Sequence, residues 1–308
     1  MAALTVIRPG MLTTIQDLGR WGRQHVGVPV AGPMDWFSHR LANLLLGNHE
    51  DDAALEITLM GPELQTDDEV ACVVTGAEFD VTAGGRRTRL GEPFRVAAGE
   101  RLKFGARISG TRAVLAVQGG VQVPRVLGSR STSLISRVGP FGGRALRPGD
   151  VLPVSRSRPL AARAPVRPLS LPLSGARVRV MLGPHERYFS TAALETFSSS
   201  RFLVTPESNR MGYRLDGPRL EHSSKADILS DATPIGSVQV PASGHPILLM
   251  ADRQTTGGYP KIATVITADL PLAGQLAPGD WIEFEPCSLA VAVDALRLRT
   301  AALQGRTP

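Results

Sequence analysis

Four segments of the chain crowd polar side chains and glycines more densely than an ordinary strand or helix does: TTIQDLGRWGRQHVGVPVAGPMD at 13–35, SNRMGYRLDGP at 208–218, SVQVPASGHP at 237–246 and MADRQTTGGYPKIA at 250–263. Glycine lets a ligand or a second backbone come close, and a carboxamide offers a donor and an acceptor side by side. In the last segment Asp252, Gln254, Thr255, Thr256 and Tyr259 surround Gly257 and Gly258. That composition suits a small amide, ureido or carboxylate group held by neutral hydrogen bonds. Arg210 or Arg214 adds a planar fork for a carboxylate. Asp252, Gln254 and Tyr259 are therefore the candidate catalytic groups. Arg210, Tyr213, Thr255, Thr256, Gly257, Gly258, Gln16 and Asp17 are the candidate substrate-binding positions. The competing account is a set of tight turns whose side chains satisfy their own backbone, with Tyr213 packing and Arg210 bracing a loop. Spacing alone leaves both open.

Other chemistries lack their residues. GARISGT at 105–111 has the glycine spacing of a phosphate loop but places Thr111 where the lysine belongs. No Gly-x-Ser-x-Gly elbow, His-Glu-x-x-His helix or Gly-x-Gly-x-x-Gly fingerprint occurs, which removes the usual support for serine-hydrolase, zinc-protease and dinucleotide readings. His25, His39, His49, His185, His222 and His245 show no paired ligand spacing, so no metal is expected. Cys72 and Cys287 read as small apolar side chains rather than a disulfide or zinc framework.

The elements that must position these segments are mostly strands. Apolar runs separated by turn residues fall at Leu4–Arg8, Ala54–Leu59, Val70–Thr75, Glu78–Thr82, Arg89–Val96, Arg101–Phe104 and Arg112–Gln118. Ala83, Gly84 and Gly85 suit a hairpin turn. One helix is expected over Asp35–Leu46, capped by Asp35, with Phe37, Leu41, Leu44 and Leu45 on one face and Gly47 as its stop. The stretch SRSRPLAARAPVRPLSLP at 155–172 reads as a linker between a domain at 1–154 and another at 173–308. In the second half strands are expected at Ala176–Leu182, Phe202–Thr205, Ser237–Val240 and Pro246–Met250, a short helix at Thr191–Phe197, and a closing helix from Ser288 that buries Leu289, Val293, Leu296 and Leu303. RALRPGDVLPV at 144–154 and GQLAPGDWIEF at 274–284 share a turn into a strand, with GEPFRVAAGERLKF at 91–104 a looser copy. Two related β-rich domains in tandem account for this echo, as does chance recurrence of a common turn.

Composition supports a folded chain, with 43% hydrophobic and 20% charged residues. The net charge of +6 does not signal nucleic acid, because the basic residues are dispersed and form no reader motif. All but Lys103, Lys225 and Lys261 are arginines. No apolar run approaches the roughly 18 residues of a membrane span, and the chain reads as a soluble cytoplasmic protein.

QDLGRWGRQHVGVPVAGPMD with ANLLLGN, then NRMGYRLDGP, then IGSVQVPASGHPILLMADRQTTGGYPKIA with QLAPGDWIEF resemble the family called allophanate hydrolase subunit 2. It is the family of the carboxyltransferase subdomains C and D of urea carboxylase, of KipA, and of the 5-oxoprolinase C subunit. The likeness runs from about Leu4 to the final helix. It implies a mainly β chain of two tandem cyclophilin-like β-barrel domains with a few short helices, subdomain C-like at 1–154 and D-like at 173–308. It also implies a subunit 1 or KipI-like partner, with a LamB/YcsF-like subunit in the oxoprolinase case, and a small amide or lactam as substrate. The activity it implies first is ATP-dependent opening of 5-oxoproline to glutamate, the ATP being used in the complex and no cofactor being bound covalently. The alternatives are carboxyl transfer from carboxybiotin carried on another protein, since no Ala-Met-Lys-Met segment occurs here, and KipA-like relief of a kinase inhibitor. The glycine-serine-serine signature of a true allophanate-hydrolysing amidase is also missing from the chain.

Overall fold

The computed structural model describes residues 1–156, 159, 166 and 168–305, so half of the stretch read as a linker lies outside the described residues. The chain forms two compact units: Met1–Arg20 with Ala31–Leu171 and Ala301–Pro308, and Trp21–Val30 with Pro172–Thr300.

The first unit holds β1 (Ala2–Arg8), β2 (Leu12–Gln16), α1 (Trp36–Leu45), β3 (Ala54–Thr58), β4 (Glu63–Thr66), β5 (Val70–Ala83), β6 (Arg86–Arg87), β7 (Phe94–Val96), β8 (Arg101–Val117), a short α2 (Pro140–Gly143) and β9 (Val151–Val154). Its nine strands make one curled sheet, ordered β2-β3-β8-β4-β1-β9, with β5 paired to β6, β7 and β8. Leu4, Leu55, Val74, Leu102, Leu115 and Leu152 pack inside the curl. Residues 70–82 and 101–118, each expected as two separate strands, run through as single long ones. Gly76 and Gly110, both at positive φ, let β5 and β8 bulge and bend where a side chain would have ended the strand. Conversely, Gly91 and Pro93 cut the run expected from Arg89 down to Phe94–Val96. The β5–β6 hairpin turns on Gly84 and Gly85, with Ala83 opposite Arg86. Helix α1 is capped as its sequence requires: Ser38 N donates to Asp35 Oδ1 at 2.9 Å. Phe37 and Leu41 are buried, and Gly47, at φ 72°, follows the helix end.

The second unit holds β10 (Gly175–Leu182), α3 (Thr191–Ser199), β11 (Phe202–Val204), β12 (Gly212–Asp216), β13 (Asp231–Ala232), β14 (Ser237–Gln239), β15 (Ile247–Leu249), β16 (Thr256–Gly257), β17 (Lys261–Val265), α4 (Leu270–Gly274), β18 (Trp281–Pro286) and α5 (Leu289–Leu303) up to Thr300, the last residues of α5 being counted with the first unit. Seven strands close a barrel in the order β10-β17-β14-β15-β12-β11-β18, and β13 with β16 forms a separate two-stranded ribbon. Aromatic stacking fills part of the core, with the rings of Phe197 and Phe284 4.6 Å apart. The stripe expected on α5 is only half right. Leu303 is buried and Leu296 packs near Ile266 and Ala295, but Leu289 and Val293 face solvent. The helix is apolar nearly all round, so its periodicity could not tell which face would be covered.

The three Gly-acid turns share one local structure. Asp150 and Asp280 each accept at 2.8 Å from the backbone N–H three residues earlier, and Glu100 does so at 2.9 Å. Each has glycine at positive φ just before the acid. The likeness stops at the turn, because β9 pairs antiparallel with β1 whereas β18 pairs parallel with β10.

Candidate functional site

Strand register in the barrel sorts the candidate residues. Gln239 on β14 and Arg214 on β12 both pair with Ile247 on the intervening β15, while Val238 and Tyr213 both pair with Leu248. Successive residues of a strand point to opposite faces. The Val238–Leu248–Tyr213 row is buried, Tyr213 being 1% exposed. The Gln239–Ile247–Arg214 row forms part of the wall of a cleft of about 760 Å³, to which Asn209, Gln254 and Tyr259 also contribute. Tyr213, expected at the substrate, is therefore a core residue.

Two carboxamides in the cleft order each other. Gln254 Nε2 donates to Gln239 Oε1 at 3.3 Å, and Gln239 Nε2 donates to the Tyr259 carbonyl at 3.4 Å. This fixes which end of each amide is acceptor and which is donor. Gln239 is 1% exposed, whereas the Tyr259 ring is open to solvent. The loop beneath is tied to Thr233. Its hydroxyl donates to the Gln254 carbonyl, its N–H to the Thr255 carbonyl at 3.1 Å, and its own carbonyl accepts from Arg253 Nε at 2.7 Å. Burial pulls the Arg253 guanidinium down to about 10.

Thr256 and Gly257 sit in the ribbon, opposite Ala232 and Asp231. Buried Lys261 anchors its other strand, with Nζ 2.6 Å from Asp231 Oδ2 and 2.8 Å from the Ala232 carbonyl. The Lys261 hydrogen bond, joined by one from the Ala232 N–H, holds the Asp231 carboxyl below its usual range. A Cβ on Gly257 would stand 2.6 Å from Gln239 Nε2, so a side chain there would push that amide out of its place. Gly258 has no such constraint. Its added Cβ would meet nothing nearer than 3.5 Å.

Arg210 and Asp252 find each other rather than a ligand. Nη2 lies 3.1 Å from Oδ1 and Nε 3.2 Å from Oδ2, and both residues are buried. Asp252 N also donates to the Arg210 carbonyl at 2.8 Å. The pair braces the start of the Gln254 loop, which removes Arg210 as a free carboxylate fork and Asp252 as a free acid or base. The expectation for both is corrected accordingly.

Gln16 and Asp17 belong to the first unit, in a buried polar knot. Gln16 Nε2 donates to Thr14 Oγ1 at 2.9 Å and to the Thr132 carbonyl at 3.1 Å. Asp17 accepts from Ser129 Oγ at 2.6 Å, Ser131 Oγ at 2.7 Å and Gly19 N at 3.0 Å. Burial pushes the Asp17 carboxyl up, but these hydrogen bonds, with one from Arg130 N, leave it below its ordinary value. Buried His39 is pushed down to about 4 by desolvation, against the opposing pull of the Asp17 charge.

Sequence reasoning missed Gln239, Thr233 and Lys261 as individual residues. Gln239 had one signal, a lone carboxamide between two valines in a strand. Thr233 had none, since its partners are 20 or more residues away.

A mainly β chain with a closed seven-stranded barrel and a curled nine-stranded sheet has the architecture of a carboxyltransferase domain. The family model described as carboxyltransferase domain, subdomain A and B, matches residues 26–286, and the chain belongs to that family. The letters of that description differ from the C and D of the sequence resemblance. The chain is 41% identical to the 5-oxoprolinase C subunit of Escherichia coli (strain K12) over 295 residues, 95% of this chain and 94% of the relative. It is 38% identical to the 5-oxoprolinase C subunit of Haemophilus influenzae over 284 residues, covering 92% and 91%. Among solved structures it superposes on Kluyveromyces lactis urea carboxylase with a TM-score of 0.89 at 33% identity, spanning 98% of this chain but 29% of that one.

Proposed function

We propose that this chain is the amide-recognising subunit of an ATP-dependent 5-oxoprolinase, working with a subunit 1-type partner and a LamB/YcsF-like subunit. The observation that carries this reading is the Gln239–Gln254 pair on the cleft wall. A lactam presents an N–H and a carbonyl side by side, and an oriented carboxamide answers both in one plane. Similarity to the 5-oxoprolinase C subunit along nearly the whole of both chains supports it. In this reading the chain binds and orients the ring while its partners complete the site. ATP is assigned to the assembly, because the GARISGT run lies inside β8 and is a strand rather than a phosphate loop.

The test is reconstitution. The chain with its partners is expected to release glutamate from 5-oxoproline only with ATP, and the chain alone to do so negligibly. Unaided turnover by the purified chain would overturn the division of labour. The likeness to urea carboxylase favours a second reading, carboxyl transfer to urea from carboxybiotin on another protein. Urea-dependent consumption of carboxybiotin, with no glutamate formed from 5-oxoproline, would select it.

A further inference from the structure

Arg214 is the cation of the cleft that is tied to no carboxylate by a hydrogen bond or ion pair among the described residues. Arg210 is committed to Asp252 and Lys261 to Asp231, while Arg253 is buried with its Nε on a carbonyl. Arg214 is exposed, and among the described residues its guanidinium makes no hydrogen bond or ion pair. Its backbone is nonetheless fixed on both sides. The N–H donates to Ser208 Oγ at 3.0 Å and the carbonyl accepts from Thr205 N at 2.9 Å.

Register gives the spacing. Gln239 and Arg214 flank Ile247 in the same outward row. Two strand spacings set their Cα atoms about 10 Å apart on one face. That gap suits a small molecule with an amide at one end and a charged group at the other. Glu207 and Asp216 share the cleft without an ion pair to Arg214, although the Thr205 hydrogen bond and, after it, the Arg214 charge help to hold the Glu207 carboxyl low. With two acids beside one cation, the general field does not favour an anion. Selection must come from the directed two-bond contact of a guanidinium with a carboxylate.

We infer that Arg214 is the specificity-determining residue of this cleft, receiving a carboxylate borne by the substrate while Gln239 and Gln254 hold its amide. The inference rests on the cleft being the amide site proposed above. The experiment titrates the reconstituted complex with two probes, 5-oxoproline and its neutral primary amide, 5-oxoprolinamide. The native complex is expected to prefer the acid by about tenfold or more. Arg214→Gln is expected to abolish that preference through loss of acid affinity alone, with binding of the neutral probe unchanged, which also reports an intact fold. Arg214→Lys is expected to recover only part of it, as the fork is lost. Retention of the native preference by Arg214→Gln, or no binding of either probe, would overturn the assignment. The amide-site reading is scored separately by Gln254→Ala: if that variant binds both probes and turns over normally, the amide site fails while the acid preference still reads Arg214.

Discussion

Gln254 is held through its backbone by Thr233 and through its side chain by Gln239, so its truncation removes a contact in the cleft without cutting the loop free. Gln254→Ala is expected to raise KM for the amide substrate by about tenfold, equivalent to one hydrogen bond of about 1.4 kcal/mol, with the melting temperature nearly unchanged. Asp252 is the opposite case. Asp252→Ala leaves a buried guanidinium without its carboxylate and is expected to cost about 3–5 kcal/mol by denaturant titration, whereas Arg210→Met with Asp252→Leu recovers most of that. His39 sets an acid limit. Its folded value of about 4 lies below the ordinary 6.5, so between those pH values the unfolded chain binds a proton that the folded chain refuses. Stability from this group is complete above pH 6.5 and falls by about 3 kcal/mol as pH drops to 4. Asp17 adds a loss only at lower pH, since its depressed carboxyl stabilises the fold until acid passes its folded value. In His39→Gln the fall in stability between pH 7 and 4.5 is expected to shrink, measured by urea titration at the two pH values.

At the scale of elements, the β13–β16 ribbon is the device that seats the amide pair, and Gly257 within it is not equivalent to Gly258 just after it. Gly257→Ala drives a methyl into Gln239 and is expected to depress turnover of the complex strongly. Gly258→Ala meets only ordinary contacts, and neither glycine is at positive φ, so it is expected to stay within about 0.5 kcal/mol of the parent with activity kept. The adjacent glycines were visible in the sequence as one flexible dipeptide. Their difference was not, because the atom that a Cβ on Gly257 would displace is Gln239 Nε2, contributed by another strand. The Asp35 cap, by contrast, was fully legible, since both donor and acceptor lie within four residues. The long bulged strands fell between these cases: their glycines were plain, but whether a glycine ends a strand or bends it depends on the neighbouring strand continuing to pair.

For the whole molecule, the proposed amide site is a cleft of the second unit, while the one glycine run that suggested phosphate binding is a strand in the sheet of the first unit. The isolated chain is accordingly expected to show no ATP hydrolysis above background, and the assembled complex to show hydrolysis stimulated by 5-oxoproline. ATP turnover by the chain alone, at the rate of the complex, would place the nucleotide site within it.

Composition, alternation and turn chemistry determined that this would be a mainly β protein with a few capped helices, and the crowding of amides and glycines at 237–263 marked a segment that supplies Gln239, Gln254 and Tyr259 to the cleft wall. Such features act over a few residues, and a sequence displays them directly. Which arginine is free was decided only by the tertiary structure. Arg210 and Arg214 stand four residues apart in one motif, yet the first meets a carboxylate from residue 252 and the second faces an open cleft beside Ile247. The fate of a charge depends on which partner the barrel brings to it, and strand pairing across a closed barrel joins residues that no local pattern connects.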